Sequence, residues 1–155
     1  MRGKRAQRRP VQKDEKYGSA LIARLINKVM QDGKKNVAKN LVYKALETAA
    51  KQSKMDPDAF LEAAVGKVRP ALEIKARRVG GANYQVPTPV SPARQDALAI
   101  RWIVDYTRAA SGTSFDVLLQ KELLDAFNGE GNAMRKKMDV EKMAEANKAF
   151  AHFRW

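Results

Sequence analysis

Lys75, Arg77 and Arg78 lie on a strand-like run, Leu72 to Val79, and Tyr84 and Gln85 on a second, Tyr84 to Val90; the turn Gly80-Gly81 stands between them. These side chains suit anion recognition rather than bond making. A guanidinium pairs with phosphate through a planar two-toothed fork. The Tyr84 ring can stack on an unpaired base, or pack across the ribbon against Arg77 or Val79. Arg94, Arg101 and Arg108 form a second set. Spaced by seven, they drift only about 40° over two heptads of a helix and so share one face. Ile100, Ile103, Val104 and Thr107 fall roughly opposite. Such a helix packs one side on a core and lays the other on phosphates. The competing reading is a solvated face, neutralised locally by Asp96 and Asp105. Beside the ribbon's arginines, the binding reading takes precedence.

Catalytic and metal chemistry find little to work with. His152 is the only histidine and there are no cysteines, so a metal site has no ligand set. Gly129-Glu130-Gly131 is too short for a dinucleotide fingerprint and follows a helix rather than a strand. The sequence contains no P-loop, no GxSxG elbow and no HExxH. Asp139 and Glu141, two apart on a helix, do not face each other. The expectation is a binding protein: no enzyme, no cofactor, no metal and no small-molecule substrate. Trp102 reads as a core anchor.

Charge points the same way. Lys and Arg number 30 against 17 Asp and Glu, a formal +13 in 155 residues. An excess of this size says nothing of fold, but it draws the chain to polyphosphates through counterion release. It is unevenly placed. Arg2, Lys4, Arg5, Arg8, Arg9, Lys13 and Lys16 outnumber Asp14 and Glu15 at the start, whereas acids outnumber bases between Asp116 and Glu145. The anion should therefore meet the first two thirds of the chain. The absence of cysteine fits a cytoplasmic location. No apolar run is long enough to span a membrane, and the basic start, with no apolar segment behind it, does not read as a secretory leader.

The elements that must hold these residues are mainly helical. At 155 residues with 45% hydrophobic content, one domain over 1-155 is expected. Residues 1-16 lack apolar periodicity and read as a flexible basic extension that orders on binding. The helical body spans 17-71 and 91-155, interrupted by the β-hairpin arm at 72-90. Leu21, Ile22, Leu25, Ile26, Val29 and Met30 mark a first helix behind the cap Ser19, stopping at Gly33. Val37, Leu41, Ala45, Leu46 and Ala49 mark a second, with Lys34 and Lys35 in the loop before it. Asp56-Pro57 and Ser91-Pro92 open a third and a fourth helix. Thr113 with Asp116 resembles a capping box ahead of a fifth, and a sixth runs from about Ala133 towards the C-terminus. Pro87 and Pro89 cannot donate to a ladder, so the ribbon's second strand reads as short, exposed and on an edge. A limb of about seven residues at roughly 3.3 Å each reaches about 20 Å.

The stretch Glu73-Ile74-Lys75-Ala76-Arg77-Arg78-Val79-Gly80-Gly81-Ala82-Asn83-Tyr84-Gln85-Val86-Pro87 closely resembles the arm of the bacterial small-subunit ribosomal protein seven family. Lys16-Tyr17-Gly18-Ser19, Asp32-Gly33-Lys34-Lys35, Ala99-Ile100-Arg101-Trp102 and the closing run from Met143 to Trp155 resemble it too, in the family's order. The resemblance implies a bundle of six helices with one projecting two-stranded β-hairpin. It implies a constituent of the small ribosomal subunit that binds the 3′ major domain of 16S rRNA and nucleates head assembly. Exit-site tRNA and mRNA would approach the arm and the last helix, with ribosomal proteins nine and eleven as neighbours. Carried over by position, the rRNA contacts are the arm Arg2, Lys4, Arg5, Arg8 and Arg9, then Lys34, Lys35, Lys75, Arg77, Arg78, Arg94 and Arg101, to which the residues' own chemistry adds Tyr84 and Arg108. Ala109 to Ser114 departs from the family's more basic pattern, so no contact is assigned there. The rival from another class is a helical DNA-binding or nucleoid-type protein, though the sequence shows neither a polar recognition helix nor a dimer surface.

Overall fold

Apolar spacing and caps divide the chain into helices much as the sequence suggests. A computed structural model describes Gly3, Ala6 and Pro10 to Phe153. The elements are α1 (Ala20–Val29), α2 (Lys35–Ser53), α3 (Pro57–Val68), β1 (Leu72–Val79), β2 (Ala82–Pro89), α4 (Pro92–Ala109), α5 (Phe115–Asn128) and α6 (Gly131–Ala146). A short 3₁₀ segment, Lys148–Phe153, follows.

α5 lies at the centre, packed on α2, α3, α4 and α6, while α1 closes the bundle against α2, α3 and α4. Ile22, Leu25, Ile26, Val42, Leu46, Phe60, Leu61, Val65, Val68, Ile103, Leu119 and Leu123 are the large side chains fully removed from solvent. Each stabilises the bundle by about 1.5–3 kcal/mol relative to exposure. Trp102 packs partly buried against this core.

Several boundaries differ from expectation for local reasons. Lys35 is not in the loop but is the first residue of α2, with Lys34 at the cap. The fifth helix is capped at Ser114, not Thr113. Asp116, rather than completing a capping box with Thr113, is buried and paired with Lys44 of α2 at 2.6 Å. The sixth helix stops at Ala146 and the chain tightens into the 3₁₀ segment. α6 takes no cap from its own chain start. Instead the buried Glu122 of α5 accepts a hydrogen bond from the Ala133 amide at 2.8 Å. Gly131 makes that junction possible: its φ is +88°, and a Cβ there would stand 2.9 Å from the Asp125 Cβ.

The basic N-terminal stretch also ends sooner than 1-16. Asp14 is buried, its backbone bonded both ways to Gly18 and Ser19 and its carboxylate to Tyr43 at 2.6 Å. Asp14 to Lys16 are thus bonded to α2 and to the turn before α1. Lys16 continues the tie through Glu47, which also accepts from the Tyr17 hydroxyl at 3.1 Å.

Candidate nucleic-acid interface

The hairpin pairs Leu72 with Pro89 through Val79 with Ala82, in one uninterrupted register. Side chains alternate faces along a strand, so Glu73, Lys75 and Arg77 share a face with Thr88, Val86 and Tyr84. Arg78 points the other way, with Asn83 across from it. The ribbon's three cations are therefore divided between its two faces. Its second strand is not exposed throughout, as the prolines suggested. Val86, Pro87 and Thr88 are buried, because α6 and the 3₁₀ segment pack against the ribbon.

Tyr84 stands opposite Arg77 in the register and lies against two rings of the C-terminal segment. Its ring lies 5.2 Å from that of Phe150 and 4.9 Å from that of Phe153. The sequence offered Arg77 or Val79 as partners and gave no reason to connect position 84 with the C-terminus.

At the hairpin's base, Glu73 joins two basic sets. Its carboxylate accepts from Arg94 Nε at 2.7 Å and pairs with Lys75 at 3.0 Å. Burial pushes this carboxyl up, but the two cationic donors outweigh burial and hold it below its usual range. Arg94 remains about half exposed while held there. The first turn of α4 is thereby fixed to β1.

One α4 turn-pair further on, Arg101 is exposed and has no acidic partner among the described residues. The two acids of α4 offered as its neutralisers are engaged elsewhere. Asp96 binds Arg24 of α1 at 2.8 Å and Arg69 at 2.7 Å, and Asp105 pairs with Lys28 at 3.2 Å. Arg108 is committed within the protein. Its guanidinium donates to the Lys28 and Val29 carbonyls at 3.2 and 3.1 Å, capping the end of α1. The arginine stripe thus splits into a clamp (Arg94), an open cation (Arg101) and a helix cap (Arg108).

Two grooves continue the basic surface. Val11, Arg24, Asn27, Lys28, Ala97, Ile100 and Arg101 line the first, between α1 and α4. Val11 and Asn27 also line the second, where Lys13, Lys35 and Lys39 stand with Asp14 and Glu15, Glu15 pairing with Lys39 at 2.8 Å. Lys34, at the cap of α2, is exposed and stands 4.0 Å from the Asp32 carboxylate. From Lys75 through Arg94 and Arg101 to Lys35, the cations form one connected run. Arg2, Lys4, Arg5, Arg8 and Arg9 lie outside the described residues. The sequence reading missed Arg24, Asn27 and Lys28. The signal was present: Arg24, Asn27 and Lys28, at i, i+3 and i+4, form a polar stripe on α1 that runs beside Leu21 and away from Ile22 and Ile26.

Residues 1–148 match the model of the family described as Ribosomal protein S7p/S5e. The chain belongs to this family. Among similar curated proteins, each named small ribosomal subunit protein uS7, that of Thermosipho africanus is 50% identical over the whole of both chains. That of Corynebacterium aurimucosum is 49% identical, again over the whole of both. That of Nitratidesulfovibrio vulgaris is 53% identical, covering 96% of this chain and 95% of its own. Membership makes this chain a structural protein of the small ribosomal subunit rather than an enzyme, and accounts for a large basic surface on a small helical body.

Proposed function

We propose that the chain binds ribosomal RNA directly through this connected basic run, contacts the 3′ major domain of 16S rRNA, and nucleates assembly of the subunit head. It acts as one domain whose hairpin and last helix stand near exit-site tRNA and mRNA, with ribosomal proteins nine and eleven alongside. The observation that carries the reading is the engagement of Asp96 and Asp105 away from Arg101, which leaves the α4 face open to phosphate between the hairpin base and the grooves on α1.

Lys34, Lys35, Lys75, Arg77, Arg78, Arg94 and Arg101 are the residues proposed to meet RNA, joined by Arg2, Lys4, Arg5, Arg8 and Arg9. Tyr84 and Arg108 serve by holding the hairpin and α1 in place. Double-helical RNA hides base edges in its deep major groove, so a rigid array of cations reads backbone position, junctions and shape. Affinity then comes mainly from released counterions.

The test is filter binding of the purified protein to the isolated 3′ major domain, with duplex DNA and an unrelated structured RNA as competitors. Preference for the rRNA by about 1,000-fold or more is expected from the usual gap between specific and non-specific binding. Equal competition by all three would replace this reading with a non-specific, nucleoid-type surface.

A further inference from the structure

The groove between α1 and α4 differs in kind from the rest of the basic run. Its floor is apolar, made by Ala97 and Ile100 of α4 and Val11 of the segment leading into the bundle. Its rim is cationic, made by Arg24, Lys28 and Arg101, and no carboxylate lines it. Asn27 stands at its polar side, exposed, with both an amide donor and a carbonyl acceptor to offer. The space is about 270 Å³, just under the roughly 300 Å³ at which small-ligand pockets begin. A double helix is too wide for it, and a bare phosphate would leave the apolar floor unused. With Arg24 and Lys28 ion-paired and Arg101 without an acidic partner among the described residues, the rim keeps a net positive charge, which opposes a cationic peptide and favours an anion.

We propose that this groove takes a single unpaired nucleotide of the bound RNA. The inference rests on the RNA-binding reading and adds a defined subsite to it. The base lies against Ala97 and Ile100, beneath the plane of the Arg101 guanidinium, which substitutes for the aromatic ring on which unpaired bases usually stack. The Asn27 amide meets the base edge. Lys28 and Arg24 face the phosphate, and each keeps its own acid, Asp105 and Asp96, as the counter-charge that positions it.

Ala97→Trp separates the subsite from the general basic surface. Ala97 is exposed on α4 and makes no charged contact, so the bulky ring fills the groove while every cation remains. Binding to the 3′ major domain should weaken about tenfold, the scale of one stacked base, with the salt dependence unchanged. Arg101→Lys keeps the charge and removes the plane, and should lose a similar factor, again without a change in slope. A thermal melt monitored by circular dichroism establishes that both variants are folded. Wild-type affinity in folded Ala97→Trp would overturn the subsite and leave the RNA-binding reading intact. Failure of the unaltered protein to prefer the rRNA would remove both.

Discussion

Asp14 shows how one residue can change what a whole segment is. Its neighbours in sequence are basic and carry no apolar period, so the stretch reads as solvated. Yet the carboxylate accepts hydrogen bonds from the Tyr43 hydroxyl at 2.6 Å and from the Lys16 and Tyr17 amides at 3.1 Å. Burial works to raise this carboxyl, and the three donors overcome it, leaving it below its ordinary value of 3.8. A carboxyl lowered on folding contributes stability that is present above that ordinary value and is lost as pH falls through the folded one. Tyr43→Phe, which removes the strongest of the donors, should destabilise the protein by about 1.5–3 kcal/mol near neutral pH. Urea unfolding would show this penalty shrinking once the pH drops below the folded value; a penalty of the same size in acid would show that Asp14 is not the partner that matters. No feature of the sequence links position 14 to position 43, because the contact depends on how α2 lies across the turn before α1. Ser19 is the opposite case. Its type and its place before Leu21 and Ile22 announce a cap, and it accepts from the Ile22 amide.

At the scale of elements, the hairpin was legible and its support was not. The Gly80-Gly81 turn between two runs of β-forming residues specifies the ribbon, and the observed strands begin and end within two residues of expectation. A lone two-stranded ribbon is marginal in water. Here the 3₁₀ segment supplies the missing backing through Tyr84, Phe150 and Phe153. Sequence periodicity cannot reveal a contact between residues so far apart along the chain. Tyr84→Ala should speed amide exchange in β1 and β2 by about tenfold, the worth of one or two aromatic contacts, while amides of α2 and α5 keep their protection. Unchanged exchange in the hairpin would show that the rings are adjacent without supporting it. The helices were easier to foresee, since α1 and α3 bury the apolar positions that their spacing marks. α6 was harder: it buries only Ala133 and Ala144, and its start depends on Glu122 from another helix.

Over the whole molecule, charge is the property that composition displays best and contacts refine most. The formal +13 announces an anionic partner. It cannot say which cations are occupied within the protein. Arg108 caps α1, Arg69 is divided between Glu62 and Asp96, and Lys44 pairs with the buried Asp116. Except for Glu62 with Arg69, two turns apart on α3, those pairings follow from how helices lie against one another and leave no trace in the spacing of a single helix. What they leave open runs from the hairpin across α4 to the start of α2. The acids of the last third fall elsewhere, on α5 and α6.

The most direct test of that surface is the salt dependence of binding to the 16S rRNA 3′ major domain for Arg78→Ala with Arg101→Ala. Lys121→Ala with Lys142→Ala, on α5 and α6, serves as a control of equal charge change. If the basic run lies on phosphate, the first pair lowers the slope of log K against log salt by about two units, one for each lost contact, and the control leaves it unchanged. Equal slopes for both pairs and the unaltered protein would contradict the account.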